Sequence, residues 1–202
     1  ELERLALGFG SVKIQATDRV TANNKAALLV GQSRDADGTL HGGTLSIVTP
    51  LLTGQAGSAM RYVAGGAIDV SAPAGAAAPD TAAIGELGAS LTLQGPSVSL
   101  DTTVALPTGV LRLLADGDIS LGEGAQIDLS GRAVQFYDIT KYSWGGAATL
   151  TSTNGSIAQA AGSRIDVSAA HEDAGSLTLD ARAGTVTLAG ALHGAGGGAG
   201  FD

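Results

Sequence analysis

The chain contains no cysteine, which excludes disulfide bonds, zinc–thiolate sites and thiol nucleophiles. Large rings are also scarce, with three Phe, three Tyr and one Trp among 202 residues. Ordinary globular cores depend strongly on such rings. Glycine is abundant instead, at 31 residues or about 15% against a usual share of about 7%. Together with many Ala, Ser, Thr and small aliphatic residues, this favours a narrow interior with tight turns.

Positive charge is limited to 11 Lys and Arg against 19 Asp and Glu, a formal net charge of −8. Phosphate backbones are bound by clustered cations, so we predict no nucleic-acid partner. An anionic membrane surface is disfavoured for the same reason. No stretch approaches 18 continuous apolar residues, and no transmembrane helix is therefore predicted.

The two ends of the sequence predict a segment excised from a longer chain. It begins "ELERLALGFG", without an initiator Met or a signal-peptide pattern, and ends "HGAGGGAGFD", which is typical of the middle of a repeat. We expect residues 1–202 to form one domain. Its first and last turns would then expose apolar faces, so end-to-end self-association is expected.

Apolar-x-apolar doublets occur twelve times along the chain. The middle residue is Lys, Ser, Asp, Thr or Arg in all but one of them. This period of two, with Gly, Asn, Asp or Pro between doublets, predicts short β-strands with one wet face.

The doublets also group in threes that recur after about 20 residues. Leu91, Val98 and Val104 are followed at 20, 21 and 23 residues by Leu111, Ile119 and Ile127, and the next group is Leu150, Ile157 and Ile165. Three short strands per turn, stacked on the next turn, predict an all-β, right-handed parallel β-helix of about six rungs.

Near-identical tetrapeptides at 68–71, 127–130 and 165–168 are interpreted as the third strand of three rungs, and Leu45 and Ile68 are assigned to one rung. The unequal spacings predict corner insertions at 31–43, 71–88 and 132–147, with a smaller one at 168–175. A β-sandwich is the alternative fold, but its turns usually fall every 8–12 residues. Here they fall every 6–8.

Segments such as "GGTLSIVTP", "GSIAQAAGSRIDVSA" and "AGSLTLDARAGTVTLAGALHG" resemble the filamentous-haemagglutinin family of Gram-negative exoproteins. The resemblance covers most of residues 43–194. It implies a β-helical shaft of a secreted, surface-located adhesin, with an outer-membrane transporter and a host or neighbouring-cell glycan or protein as partners. Two-partner secretion is implied, with the classical autotransporter passenger as the alternative. The family's Asn-Pro-Asn secretion motifs do not occur in this sequence.

Polysaccharide-cleaving enzymes also use β-helices, with clustered carboxylates on neighbouring rungs. Asp69, Asp128 and Asp166 are the candidates here, and we interpret them as a solvated ladder near Arg132 or Arg164, with a calcium site or a catalytic pair as alternatives. We therefore predict no enzyme activity and no cofactor. A carbohydrate-binding or polysaccharide-cleaving β-helix protein remains the alternative function.

Three minor motifs are weighed against simpler roles. "GGAGFD" at 197–202 is one truncated copy of a calcium-binding nonapeptide, a motif that binds metal through stacked copies. Three histidines are expected in loops or turns without metal-ligand spacing: His41, His171 and His193. Asn154 matches a glycosylation acceptor but is interpreted as an Asn-Gly corner.

Most of the aromatic residues cluster in the 132–147 insertion, together with two cations. They predict either rings folded back on the solenoid wall or a recognition surface for a sugar or protein. Any specific recognition by this chain is predicted to reside there. The candidate contact residues are Arg132, Phe136, Tyr137, Lys141, Tyr142 and Trp144.

Overall fold

The computed structural model describes residues 2–197, which wind into a parallel β-helix. Each turn is called a rung below; all but one of the rungs add one strand to each of three sheets, and neighbouring strands within these sheets are parallel. The predicted fold class is confirmed.

The three sheets are named I, II and III in the order in which the chain meets them. Sheet I contains β1 (Leu2–Leu7), β4 (Lys25–Gly31), β9 (Ala59–Ala64), β11 (Ser90–Gly95), β14 (Val110–Ala115), β19 (Ala147–Ser152) and β22 (Ser176–Ala181). Sheet II contains β2 (Ser11–Gln15), β7 (Thr44–Val48), β10 (Ile68–Ser71), β12 (Val98–Asp101), β15 (Ile119–Leu121), β20 (Ile157–Gln159) and β23 (Val186–Leu188). Sheet III contains β3 (Val20–Ala22), β8 (Leu51–Gly54), β13 (Thr103–Ala105), β16 (Gln126–Asp128), β21 (Arg164–Asp166) and β24 (Ala191–His193).

The core is a set of inward columns in which like residues stack from rung to rung. Leu93, Leu113 and Leu150 lie in register in sheet I, and all three are fully buried. Alternate residues point outward, because successive side chains of a strand face opposite sides. The doublets of the sequence are therefore the inward pairs of short strands, and burial of their aliphatic side chains is the main stabilising term.

The described part of the chain forms seven rungs, six of which have three strands. The third rung has β9 and β10, but residues 72–88 leave the solenoid where its strand in sheet III would lie. Strand β8 consequently pairs directly with β13, through Leu51↔Thr103 and Leu52↔Val104. The prediction of about six three-stranded rungs is thus confirmed, and a two-stranded rung is added to it.

This missing strand corrects the interpretation of the repeated tetrapeptide. Ile68 pairs with Leu45 on one side and Val98 on the other, all in sheet II, so Leu45 and Ile68 belong to adjacent rungs. The copies at 127–130 and 165–168 do lie in sheet III as predicted. A smaller correction concerns Leu150, which aligns with Leu113 and not with Leu111.

The predicted insertions contain short elements of their own. Segment 31–43 holds an antiparallel hairpin of β5 (Ser33–Arg34) and β6 (Leu40–His41). Segment 71–88 holds a 3₁₀ turn, Thr81–Ala83, and segment 132–147 holds β17 (Ala133–Phe136) and β18 (Ile139–Tyr142). Within residues 2–197, no helix has the length and apolar character to cross a membrane.

Candidate recognition hairpin

Residues 132–144, called the recognition hairpin below, leave the solenoid between sheets III and I. Strands β17 and β18 pair antiparallel, and Phe136 opposes Ile139 across the two-residue turn Tyr137–Asp138. Tyr137 has a φ of 52°, in the left-handed region that tight hairpin turns require. The hairpin is a compact, locally ordered projection and not an open loop.

The base of the hairpin is fixed to the wall by Ser143, which is buried. The backbone N–H of Ser143 donates to the Arg132 carbonyl at 2.9 Å, and the Ser143 Oγ accepts from the Arg132 N–H at 2.8 Å. The Thr108 hydroxyl donates to the same Oγ at 2.7 Å. A Cβ at Gly131 would collide with the Ser143 carbonyl oxygen, so this close approach requires glycine.

One face of the hairpin is largely apolar. Directly opposed residues of an antiparallel pair share a face, which places Phe136 and Ile139 beside Val134 and Lys141. Phe136 is 56% exposed and Ile139 54% exposed. Tyr137 stands fully exposed at the tip. The apolar face defined by Val134, Phe136 and Ile139 is therefore open to solvent at Phe136 and Ile139, while Val134 is half-buried.

The opposite face is more polar, and its Tyr142 contacts the 168–175 insertion. The Thr140 hydroxyl donates to Gln135 Oε1 at 2.6 Å. The Tyr142 ring lies 4.0 Å from the His171 ring, centroid to centroid, at an interplanar angle of 48°. His171 belongs to the 168–175 insertion, so two corner insertions support each other here.

The structure thus separates the six predicted contact residues. Phe136 and Lys141 share the apolar face, Tyr137 is at the tip, Tyr142 is on the opposite face, and Trp144, 62% exposed, is at the base. One of the two interpretations required the rings to be buried against the solenoid wall, and they are not. Five of the six candidates remain accessible.

Arg132 is the exception, because its side chain is only 13% exposed and turns toward the solenoid. Its guanidinium donates to Asp128 Oδ2 at 2.8 Å, to the Thr81 carbonyl at 3.0 Å and to the Ile84 carbonyl at 3.3 Å. Arg132 therefore ties segment 72–88 to sheet III, and the predicted ligand contact does not fit this position.

Asp128 and Asp166 lie in register on adjacent strands, as predicted. They are not a solvated ladder: Asp166 is buried and ion-paired with Arg164, while the Asp128 side chain is 18% exposed and paired with Arg132. Burial alone would raise the pKa of Asp128, but hydrogen bonds from Arg132 and Ser130 outweigh it and leave that pKa below its usual value.

Each of these two carboxylates also closes a turn. Asp128 Oδ1 accepts from the N–H and the hydroxyl of Ser130, at 3.1 and 2.6 Å. Asp166 Oδ1 does the same with Ser168, at 2.9 and 2.6 Å. Such Asp-x-Ser turns end a strand and turn the corner. Asp69, in the copy at 68–71, is instead exposed in the middle of β10 in sheet II.

The other polar motifs also occupy structural positions. Asn154 donates to Asp116 Oδ1 at 2.7 Å, at the corner predicted for it. His41 lies in β6, with its Nε2 2.8 Å from Asp35 Oδ2, and His193 lies in β24, so these two are in strands and not in loops. Across residues 2–197, no three His, Cys, Asp or Glu side chains converge on a metal position. Most of the calcium-type motif, residues 198–202, lies outside the described residues.

Sequence reasoning missed two members of this surface. Val134 and Ile139 join Phe136 on one face, and the 134/136 and 139/141 alternation around a two-residue turn was a readable signal for it. The contact of His171 with Tyr142 had no local signal, because the two residues come from different insertions.

Comparisons of this chain with protein-family models, curated proteins and solved structures find no match.

Proposed function

We propose that this chain is a structural and adhesive β-helical segment of a large secreted bacterial surface exoprotein. In this proposal the solenoid is the shaft, and the recognition hairpin contacts a glycan or protein on a host or neighbouring cell. The observation that supports it best is the open apolar face of the hairpin, with Phe136 and Ile139 more than half exposed. Exposed apolar patches on soluble proteins often mark interaction sites.

The division of composition between shaft and hairpin also supports the proposal. Four of the seven aromatic residues lie in this one insertion. Rings and aliphatic side chains anchor interfaces, because they bury much area at low entropic cost. The outward positions of sheet II, by contrast, hold small and polar residues such as Ser46, Ser99 and Ser120, which offer less to a partner.

The architecture further supports a separation of roles. The hairpin leaves at a corner, so its residues do not enter the inward columns. Insertions at solenoid corners can vary without disturbing the stack. A shaft of this kind presents a binding element while its own stability comes from rung stacking.

The cellular setting is proposed from the sequence resemblance. We propose that the parent protein lies on the Gram-negative cell surface or in the medium, exported by an outer-membrane transporter. The absence of cysteine is compatible with export as an unfolded chain, because no disulfide has to form afterwards.

The test replaces the apolar face while keeping the base of the hairpin. A triple variant, Phe136→Ser/Tyr137→Ser/Ile139→Ser, retains Arg132 and Ser143 and the contacts they make. We expect binding of the labelled protein to epithelial cells, or to a glycan array, to fall about tenfold or more. The melting temperature should stay within a few degrees, because these side chains are outside the core.

The matched control alters the opposite face by Gln135→Ala/Thr140→Ala and should bind like the original chain. Equal binding by the triple variant and the original would contradict the proposal. So would a melting temperature that falls sharply in the triple variant, since the rings would then be a structural cover.

A further inference from the structure

A groove with a volume of about 670 Å³ runs along the outer face of sheet I, parallel to the solenoid axis. Its floor is one outward column of residues that pair in register through five successive rungs. These are Leu29, Val63, Gln94, Leu114 and Thr151. With about 4.8 Å between strands, the floor is roughly 19 Å long. An extended ligand fits such a shape better than a compact one.

Arginines flank this floor. Arg61 and Arg112 stand on one side, and both pair in register with Thr92 between them. They are therefore two rungs, or about 9.6 Å, apart. Arg182 stands on the other side at the far end, and Arg34 projects from the hairpin β5–β6 at the near end.

The charge of this face contrasts with the rest of the molecule. The chain has a net charge of −8 and 11 cations; Arg34, Arg61 and Arg182 line the groove, and Arg112 stands beside its floor on the same outer face. In the part of the chain that the structure describes, Arg61 and Arg112 have no carboxylate within ion-pair distance, whereas Arg182 pairs with Asp180 at 3.1 Å. Two acids, Glu3 and Asp116, also line the groove. Asp116 accepts a hydrogen bond from Asn154.

We propose that this groove binds a linear, carboxylated polysaccharide. Val63 and Leu114, which are half-buried, offer apolar contact to the C–H faces of sugar rings, whereas Leu29 is largely buried. The Gln94 amide and the Thr151 hydroxyl can exchange hydrogen bonds with sugar hydroxyls.

The arginines account for the carboxylates. A guanidinium binds a carboxylate through two parallel N–H donors, which gives both strength and orientation. A 1,4-linked pyranose unit is about as long as one rung step of about 4.8 Å. Carboxylates presented on alternate sugars would then meet Arg61 and Arg112, which are two steps apart.

This site is separate from the recognition hairpin. The groove lies on sheet I and at its corner with sheet II, whereas the hairpin leaves between sheets III and I. Failure of one proposal therefore leaves the other standing, and the triple hairpin variant described above should retain groove binding.

The experiment titrates an oligomannuronate into the protein by calorimetry at low and at moderate salt. The variant Arg61→Gln/Arg112→Gln should bind about tenfold or more weakly. The control Lys13→Gln/Lys25→Gln removes two exposed cations outside the groove, and it should bind like the original chain. Neutral cello-oligosaccharides of equal length should not bind measurably.

Three results would overturn the proposal. One is the absence of oligomannuronate binding at low salt. Another is an equal loss of affinity in the two double variants, which would indicate a general charge effect. The last is equally tight binding of poly-glutamate, which would indicate a site for acidic polypeptides.

Discussion

The loss of stability that a substitution causes in this fold depends on whether the residue points inward or outward. Leu113 is fully buried between Leu93 and Leu150, while its neighbour Arg112 is exposed. The interior is narrow and closely packed, so an inward side chain has no water to turn toward.

Replacing Leu113 by Asp should destabilise the chain by at least about 3 kcal/mol, because an unpaired charge would be buried. Thr92→Asp, on the outward face between Arg61 and Arg112, should cost less than about 1 kcal/mol. Urea-induced unfolding of both variants measures the difference. Equal losses would contradict the assignment of inward and outward faces.

The repeated tetrapeptide shows how far residue patterns can predict local structure. The alternation of Ile and Val, or Ile and Leu, around Asp correctly predicted strands at all three places. It did not predict that Asp69 continues a strand while Asp128 and Asp166 end one. The difference follows the sheet: Asp69 lies within a strand of sheet II, whereas Asp128 and Asp166 close turns at the end of strands in sheet III, and nothing within the tetrapeptide distinguishes the two sheets.

At the scale of elements, segment 72–88 is held where a strand is missing. Arg132 reaches across from the base of the recognition hairpin to the carbonyls of Thr81 and Ile84, and Asp128 holds the guanidinium in place. Sequence patterns identified both insertions but not this link, because its residues are about 50 positions apart.

The ion pair of Asp128 with Arg132 makes the folding stability of the chain depend on pH. The pKa of Asp128 is lowered in the folded chain, so its contribution is fully present above the unfolded carboxyl pKa of about 3.9. It is lost as the pH falls through the lower, folded-state pKa. We expect Asp128→Asn to cost about 1–3 kcal/mol at neutral pH, and the difference from the original chain to vanish in strong acid.

Thermal melting between pH 7 and pH 2 measures this effect. Asp69→Asn is the control, since Asp69 is exposed and occurs in the same sequence context. A gap between the Asp128→Asn variant and the original chain that widens on acidification would contradict the proposed role of the carboxylate.

At the scale of the whole molecule, the solenoid is a stack of contacts between neighbouring rungs. The number of three-stranded rungs could be predicted because each strand carries its own alternation. The assignment of strands to rungs before residue 90 could not be predicted, because no local sequence pattern indicates that a rung lacks its third strand. The groove on sheet I was missed for a related reason: its floor combines one outward residue from each of five rungs.

The terminal rungs of the described region differ from the middle ones. Leu2, at an inward position of the first rung, is 56% exposed, and Val186, Leu188 and Leu192, at inward positions of the last, are 41–47% exposed. Equivalent inward positions in the middle rungs are buried. Stacking of further rungs would cover such faces, as the nearest-neighbour logic of solenoids requires.

The most direct test of the account is disulfide trapping between rungs. Because the chain has no cysteine, the two introduced thiols are the only ones that can react. Ser120 and Ala158 are register partners on adjacent outward positions of sheet II, although 38 residues separate them in sequence. Ser120→Cys/Ala158→Cys should form an intramolecular disulfide under mild oxidation, because the Cα distance of paired strands suits that bond. Ser99→Cys/Ala158→Cys places the thiols two rungs apart, about 9.6 Å, and should not. Failure of the first pair to cross-link, or equally fast cross-linking of the second, would contradict the stacked-rung structure on which both proposed binding sites depend.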